Sequence, residues 1–562
     1  MKKIIFSCLI LILSACSLKE KSYTSVNKDN YLNNADEAET LLLGVYQAMC
    51  DDGIYKFHLS LLFALPTDEA KVEGSTLVGF REEASNAFSA SDAYVQTTWQ
   101  ALYRAIYRAN DFLESLEAKM DTFSEADRER CRYYMAEARA LRGLYYFELV
   151  RWFGHVPLVQ RTEESYQQPT QFKQAEPEAV YQYIEADLKY AAGVLPWHDE
   201  DAVRQNTAFR LSKGGVLGLL AKVYATWAGY PLQDHSKWAL AAEAAAEVVN
   251  QGHHRLLDNY ETLWKNAANN VWAPEESLLE ACFYAPQSNT PSSGRIGKWN
   301  GVNAAIGSIK GNYNQGVYRV QPMFLAGWKD YAEDKRWALS FADYKYTLAD
   351  GKTAITWATI NGEKTWITFE MAMDNDSPGW RMEWRNAFSY MITPSKWDIE
   401  RYVEDGNQIS DNNLSNVNWY VLRYADVLLL YAEALCEAEG SVPAQAAEAV
   451  NKVRRRGFGE DQNMPSARAD LPDGLSLEAF RKAVREERSH ELAFEGHRRQ
   501  DLIRWGIYYE TIRECYMASQ EWHESAPRYF IGAQYTVKGK HELLPIPQHD
   551  IDLCKFEQNP KW

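Results

Sequence analysis

Apolar residues recur every three or four positions along much of this chain, and that spacing is typical of helices with one buried face. The clearest stripe contains Tyr134, Ala138, Leu141, Tyr145, Leu149 and Trp152. Gly154 and Pro157 follow it and predict where that helix ends. Similar stripes, most of them followed closely by glycine, cover 211–227, 238–249, 421–435 and 446–453. The pattern therefore predicts a mainly α-helical protein.

Small residues accompany these stripes and indicate how the helices pack. Ala136, Ala140 and Gly143 lie within the first stripe, where they would let a second helix approach closely. A helix, a tight turn and a second helix with small residues at the contact is the arrangement of tetratricopeptide-like repeats. The spacing between units is irregular, so the prediction is a repeat-like scaffold without a fixed period.

Two stretches interrupt the helical pattern, residues 66–94 and roughly 282–418. In the second stretch, glycine and asparagine cluster in 292–301 and 311–316. Short strand-like runs such as Lys364–Phe369 appear there, beside a turn at Asn361-Gly362. The predicted fold therefore adds long irregular loops and a few short β-strands to the helices. Loops carried by a rigid scaffold are where binding residues concentrate.

The first sixteen residues have the form of a secretory signal. Lys2 and Lys3 precede a short apolar run, and Leu13-Ser-Ala-Cys16 ends it with small residues before a cysteine. The run is shorter than the roughly 20 residues that span a bilayer. This pattern resembles the bacterial lipobox, which predicts a signal peptide at 1–15 and a lipidated Cys16. The alternative is an ordinary cleaved signal followed by a coincidental cysteine. Residues 16–30 are mostly polar and are predicted to be a flexible leash.

Charge and cysteine usage exclude several classes of protein. A formal net charge of −17 makes nucleic acid a poor partner, because binding it requires neutralising phosphates. The six cysteines after Cys16 lie far apart without zinc-type spacing and are predicted to be unpaired. Asp374-Asn-Asp376 begins like a calcium loop, but Arg385 stands where such a loop needs its bidentate Glu. We therefore predict no metal site and no cofactor.

Two segments carry a family resemblance. One runs from Glu487 to Gly506 and reads ERSHELAFEGHRRQDLIRWG. The other is Leu543-Leu-Pro-Ile-Pro-Gln548, followed by Gln558-Asn-Pro560. Together they resemble the SusD/RagB family of surface glycan-binding lipoproteins from Bacteroidetes. Further matching segments, in the family's order, are 99–110, 136–157 and 423–434. The chain departs from the family pattern only near its end, at Asp552-Leu-Cys554 and Pro560-Lys-Trp562.

The resemblance implies a location, a partner and a division of the chain. Members are anchored by lipid in the outer membrane, face outward, and work with a SusC-like TonB-dependent transporter. Their helical repeats face the transporter, and the opposite face binds sugar. On this basis we expect an N-terminal helical-repeat region at 31–260. A C-terminal SusD/RagB region at 261–562 would then hold ligand-binding loops at roughly 282–418, followed by closing helices.

The charged residues of the first motif could serve structure or catalysis. Glu487, Glu491, Glu495 and Arg498 follow one another at helical spacings, which allows ion pairing along and between helices. A catalytic acid and base would need a shared cleft and unlike environments, which the sequence does not indicate. We therefore favour a partly buried charge network and predict that the protein is not an enzyme.

The candidate ligand-binding residues are aromatic rings next to polar side chains. A ring can cover the apolar face of a sugar, while amide, guanidinium and carboxylate groups hydrogen-bond its hydroxyls. In the irregular stretches these candidates are Trp299, Asn300, Tyr313, Asn314, Tyr318, Arg319, Arg81 and Asp68. For any one tryptophan the alternative is packing beneath a loop, which we favour for Trp328, Trp337 and Trp397, while Trp99 is expected in the core.

These observations support one main functional hypothesis. The protein would capture oligosaccharides at the cell surface and deliver them to a TonB-dependent transporter. A second hypothesis keeps the scaffold but gives it peptides or protein fragments as cargo, as in RagB-like members. A surface glycoside hydrolase is the third, although no motif indicates the paired carboxylates that it would require.

Overall fold

The structure of the protein is a computed structural model. It describes residues 31–73, 76–284, 293–304, 314, 316–328, 332–347, 351–354, 357–360, 363–366, 392–404, 413–522 and 532–562. Cys16, Tyr313 and the Asp374-Asn-Asp376 segment lie outside these residues.

Helices dominate the first half of the described chain. They are α1 (Ala35–Gln47), α2 (Phe80–Glu83), α3 (Ala93–Glu117), α4 (Glu125–Phe153), α5 (Pro177–Val194), α6 (Ala202–Gln205), α7 (Lys213–Ala228), α8 (Lys237–Asn250) and α9 (Tyr260–Asn269). Two short π-helical turns, Asp52–Lys56 and His58–Leu62, follow α1. Short 3-10 turns lie at Ala48–Cys50, Met120–Thr122, Thr162–Tyr166, Pro169–Gln171 and His198–Glu200.

The second half mixes helices with short strands. Its helices are α10 (Pro322–Gly327), α11 (Arg336–Ser340), α12 (Ile399–Tyr402), α13 (Tyr424–Glu439), α14 (Ala444–Phe458), α15 (Leu477–Glu491), α16 (Arg498–Arg504), α17 (Tyr508–Trp522) and α18 (Gln548–Cys554), with a 3-10 turn at Gly532–Gln534. The strands of the whole chain are β1 (Ala70–Val72), β2 (Ser277–Ala281), β3 (Tyr318–Val320), β4 (Phe341–Ala342), β5 (Tyr344–Thr347), β6 (Gly351–Ala354), β7 (Trp357–Ile360), β8 (Glu363–Trp366), β9 (Thr393–Pro394) and β10 (Trp419–Arg423).

Local sequence signals set the helix ends. The side chain of Asp92 accepts hydrogen bonds from the backbone N–H groups of Tyr94 and Val95, which caps the start of α3. Ser124 caps α4 in the same way. Gly154 ends α4 with φ +71°, and Gly440 ends α13 with φ +65°, a region that favours glycine. The helix ends that glycine predicts are therefore confirmed at these two positions.

The longer helices form a row in which each packs against the next. In order, the row contains α3, α4, α5, α7, α8, α13 and α14. Glycine makes close approach possible: a Cβ added to Gly143 of α4 would lie 3.4 Å from Leu188 of α5. A Cβ on Gly218 of α7 would lie only 2.8 Å from Val427 of α13. This stacked row confirms the tetratricopeptide-like scaffold that the apolar stripes predict.

The strands form short antiparallel pairs among the described residues. β1 pairs with β3, β2 with β10, β4 with β9, β5 with β6, and β7 with β8. In the last pair Ile360 lies opposite Glu363. β8 overlaps the strand-like run predicted at Lys364–Phe369, and the predicted turn at Asn361-Gly362 lies outside the described residues. Val421, which the helical stripe includes, lies instead in β10, and α13 begins at Tyr424. Pairing with β2 holds this segment extended despite its helical spacing.

The charged motif is a buried network that joins several elements. Glu491 of α15 accepts hydrogen bonds from Arg336 of α11, Arg423 of β10 and Arg456 of α14. All four side chains are fully buried or nearly so. Burial alone would raise the pKa of Glu491, but the three guanidinium groups hold it well below its usual range. The prediction of a charge network is confirmed, with burial more complete than expected.

The cysteines and tryptophans agree with the predictions made for them. The six cysteines after Cys16 are free, as predicted. Trp328 and Trp397 are buried, as is Trp99, and Trp337 is half-buried, in agreement with the packing expected for them. Among the described helices, none combines the length and the apolarity that crossing a bilayer requires.

Candidate functional site

The two irregular stretches of the sequence meet in space. β1 from the first stretch pairs with β3 from the second, with Val72 opposite Tyr318. The backbone N–H of Glu73 donates to Val317 O at 2.7 Å, and that of Tyr318 donates to Trp299 O at 3.3 Å. The pairing therefore brings Trp299 beside the segment that contains Arg81.

Four aromatic residues gather at this junction: Phe57, Phe80, Tyr94 and Trp299, which we call the aromatic cluster. The Trp299 ring centre lies 4.7 Å from that of Phe57 and 4.8 Å from that of Phe80, with the Phe80 ring nearly perpendicular. Phe57 is buried beneath, while Phe80, Tyr94 and Trp299 are half-buried. Edge-to-face packing of this kind holds the rings in place while part of their surface stays open to solvent.

Two arginines border the aromatic cluster. The Arg81 guanidinium lies 4.6 Å from the centre of the Phe80 ring, and that of Arg295 lies 4.7 Å from the Phe57 ring. Arg81 also donates to the backbone oxygen of Glu73 at 2.8 Å, and Arg295 pairs with Asp52 at 3.2 Å. Both side chains remain partly exposed, so two guanidinium groups and their carboxylate partners lie at the border of the half-buried rings.

Asn300 and Asn314 lie behind Trp299 and hold its loop. The side-chain oxygen of Asn300 accepts a hydrogen bond from the Gly297 N–H at 2.7 Å. The Asn314 oxygen accepts from the Gly316 N–H at 2.8 Å, and its amide donates to the Gly297 oxygen. Both side chains are buried. The structure therefore places these two candidates where they support the loop backbone.

Of the other described candidates, two lie in β3 at the junction and one contacts the charged motif farther away. Tyr318 and Arg319 are buried in β3, and burial raises the pKa of the Tyr318 hydroxyl and lowers that of Arg319. Asp68 accepts two hydrogen bonds from Arg498, at 2.9 and 2.7 Å, and so joins the charged motif. Of the predicted residues, Trp299 and Arg81 contribute directly to the half-buried surface. The ligand-binding role of each candidate stays a prediction.

Sequence reasoning missed Phe57, Tyr94 and Arg295 as members of the site. Arg295 lies in the glycine-rich run 292–301, so the same signal that pointed to Trp299 could have found it. Tyr94 is the last residue of the irregular stretch 66–94, so loop composition could have pointed to it as well. Phe57 gave no such signal, because it lies outside both stretches and reaches the site only through the fold.

An acidic group lies at one edge of the aromatic cluster. Glu82, Glu83 and Asp92 each offer one carboxylate oxygen, and these three oxygens lie within 4.8 Å of one another. Glu83 is only 1% exposed. Burial and the nearby Asp92 carboxylate raise the pKa of Glu83 to about 9.

A second concave surface runs along α3. This groove has a volume of about 480 Å³ and is lined by Trp99, Tyr103, Tyr107, Phe172, Phe556 and neighbouring residues. The Tyr103 hydroxyl donates to Pro157 O at 2.8 Å, and the Tyr107 hydroxyl lies 2.7 Å from that of Tyr166. The groove is therefore aromatic as well, with most of its polar groups already paired.

Comparison with known proteins identifies the family. A family model described as SusD family matches residues 286–562, and one described as starch-binding associating with outer membrane matches residues 19–225. A crystal structure of a SusD homologue from Bacteroides thetaiotaomicron is 48% identical, covers 96% of this chain and 99% of its own, and superimposes with a TM-score of 0.88.

More distant relatives agree. SusD-like protein P25 from Formosa agariphila is 25% identical over 98% of this chain and 95% of its own. A structure described as a laminarin binding SusD-like protein is 24% identical, covers 94% of this chain and all of its own, and has a TM-score of 0.67, which supports the shared fold. The resemblance drawn from the motifs is thus confirmed over nearly the whole chain, and the protein belongs to the SusD/RagB family of non-catalytic, outer-membrane-associated surface glycan-binding proteins.

Proposed function

We propose that this protein binds an oligosaccharide at the aromatic cluster and delivers it to a SusC-like TonB-dependent transporter. The observation that supports the location is the half-buried surface of Trp299, Tyr94 and Phe80, bordered by Arg81 and Arg295. The rings offer a flat apolar face for a sugar ring, and the border offers hydrogen-bond donors and acceptors for its hydroxyls.

Rigidity also supports this location. Trp299 is fixed by two ring contacts, and its loop is fixed by Asn300 and Asn314. A surface that is already ordered loses little conformational entropy when a ligand binds. A shallow aromatic surface of this kind also accepts a segment of a long chain, because it does not require a free chain end.

Isothermal titration of the full chain, purified in detergent, tests the proposal. The panel contains oligosaccharides of several linkages, including laminarin and starch fragments because related proteins are described as binding these glycans. We expect one class to bind, and Trp299→Ala to weaken that binding about tenfold or more, since truncating a central aromatic contact costs at least about 1.4 kcal/mol.

Tyr107→Ala in the α3 groove is the matched control, because it removes another aromatic ring at a concave surface. Its affinity should equal that of the unmodified chain. If Tyr107→Ala weakens binding while Trp299→Ala does not, the sugar occupies the groove and the proposed location is wrong. Circular dichroism of both variants checks that each remains folded.

The same experiment separates the other two hypotheses. If peptides bind and no sugar binds, the cargo is peptide and the oligosaccharide hypothesis is wrong. Appearance of shortened sugars after incubation would indicate a hydrolase and would contradict the capture-and-delivery role. Two measurements in the native host test the delivery step: co-purification of this protein with an outer-membrane transporter, and loss of uptake of the bound oligosaccharide when the gene for this protein is deleted.

A further inference from the structure

We infer that Glu82, Glu83 and Asp92 form a binding site for a hard divalent cation, with Ca²⁺ as the preferred ion, at the edge of the aromatic cluster. Neither the family comparison nor the sequence motifs point to this site. Glu82 and Glu83 close the short helix α2, and Asp92 precedes α3, so a bound ion would join the two elements.

The geometry suits one ion. The three candidate oxygens lie within 4.8 Å of one another. Oxygen ligands bind Ca²⁺ at about 2.4 Å, so two ligands of the same ion lie at most about 4.8 Å apart. Asp92 uses Oδ1 to cap α3, accepting from Tyr94 and Val95, which leaves Oδ2 for a ligand. Three carboxylates and water molecules would complete a coordination sphere typical of Ca²⁺.

The second observation is the condition of the Glu83 carboxylate. Glu83 is 1% exposed, and within the described residues neither of its oxygens receives a hydrogen bond. A buried carboxylate without a donor or a counter-ion is strongly unfavourable. A cation held between Glu83, Glu82 and Asp92 supplies the missing positive charge.

The neighbouring cations are directed elsewhere. The Arg81 guanidinium contacts Glu73 and the Phe80 ring, and that of Arg295 contacts Asp52 and the Phe57 ring. Among the described residues, no lysine or arginine forms an ion pair with any of the three carboxylates. The cluster therefore places three carboxyl groups together without a cationic protein partner among the described residues, and it is built only of the oxygen ligands that hard cations prefer.

The site would position the aromatic cluster. α2 carries Phe80 and Arg81, while Tyr94 follows Asp92 at the start of α3. An ion shared by Glu83 and Asp92 would hold α2 against the start of α3. Because Phe80 is part of α2, the ion would also keep Phe80 in contact with Trp299. This consequence rests on the proposed function, and the direct binding test below does not.

Calorimetric titration of CaCl₂ into the full chain, freed of metal with a chelator and without sugar, tests the inference. We expect one Ca²⁺ per chain, with weaker binding of MgCl₂, because Mg²⁺ demands a more regular octahedral site. Glu83→Gln keeps the size of the side chain and removes its charge, and it should weaken Ca²⁺ binding at least tenfold. Glu82→Gln, at a half-exposed position, should also weaken binding and serves if Glu83→Gln does not fold.

The matched control is Glu117→Gln at the exposed end of α3, which should bind Ca²⁺ like the unmodified chain. Absence of Ca²⁺ binding at millimolar concentration would overturn the inference, as would unchanged binding in folded Glu83→Gln and Glu82→Gln. Trp299→Ala should retain the ion. If a variant loses sugar binding but still binds Ca²⁺, only the proposed function is affected. A failure of the proposed function can therefore be told apart from a failure of the proposed cation site.

Discussion

Several residues in this protein have a structural role where their residue type suggests ligand binding or proton transfer. Asn300 and Asn314 have amides that could bind a sugar, yet each is buried and holds the backbone of the loop that carries Trp299. His490 lies parallel to the Trp328 ring, with ring centres 4.0 Å apart, and is 6% exposed. The role of such a residue follows from its burial and its neighbours.

His490 makes the stability of the protein depend on pH. Burial, followed by the charge of Arg336, lowers its pKa to about 3 from the usual 6.5. The folded state therefore keeps His490 neutral, whereas the unfolded state binds a proton below pH 6.5, so stability falls as pH falls from 6.5 towards 3. The free energy of unfolding of His490→Gln should therefore fall less steeply with decreasing pH than that of the unmodified chain. Below pH 5.5 the difference in slope should be about 1.4 kcal/mol per pH unit.

Chemical unfolding between pH 7 and 4.5 measures this slope. Val484→Ala is the control, because it creates a cavity in the same helix without removing a titrating group, and it should keep the slope of the unmodified chain. If His490→Gln also keeps that slope, the histidine does not contribute to the acid sensitivity.

At the scale of elements, glycine decides how closely the helices stack. Gly218 of α7 faces α13 so closely that a Cβ would lie 2.8 Å from Val427 and 2.9 Å from Leu422. A Cβ added to Gly44 of α1 would have no neighbouring atom within 4 Å. Both residues lie inside helices, so the same substitution should have opposite effects at the two sites.

Gly218→Ala should destabilise the protein by about 1–3 kcal/mol, because the added methyl group forces the helices apart. Gly44→Ala should stabilise it by about 0.5–1 kcal/mol, because alanine loses less conformational entropy in a helix. Denaturant unfolding of the two variants provides the measurement, and each is the control for the other. Equal effects of the two substitutions would contradict the close packing of α7 on α13.

The elements also show how far the sequence can be interpreted. The stripe from Tyr134 to Trp152 predicts the end of α4, because its period and its terminating glycine are local signals, whereas the helix begins earlier than the stripe, at Glu125. The same kind of stripe wrongly predicts a helix at Val421, because pairing with β2 is a distant contact that the local period does not contain. Trp299 and Arg81 could be named from loop composition, whereas Phe57 reaches the site only through packing between distant segments.

On the scale of the whole molecule, the C-terminal segment closes the body. The Asn559 amide donates to Phe153 O at the end of α4 and to Leu544 O, at 2.9 and 2.6 Å. The Trp562 ring packs 5.2 Å from that of Phe88, next to the segment that carries the proposed cation site. Residues from Leu32 to Phe556 thus contribute to one continuous hydrophobic core, against which Trp562 packs.

We propose that Cys16 fixes this body to the outer membrane through lipid. Several acyl chains anchor a protein durably, because each buried methylene contributes about 0.8 kcal/mol. Cys16→Ala should leave the sugar affinity of the purified protein unchanged and abolish its retention on cells. Surface labelling of intact cells, with Cys16→Ser as a second variant, measures retention; normal display of both variants would refute the lipid anchor.

The pairing of β1 with β3 has a consequence for synthesis and export. It joins residues 70–72 to residues 318–320, so the aromatic cluster cannot assemble until well over half of the chain is present. A polypeptide emerging from the ribosome or the secretion channel can form its early helices, but it acquires the proposed sugar-binding surface only after residues 318–320 have emerged. The proposed binding surface therefore cannot form until residue 320 of the 562 has emerged, after all the helices of the first half.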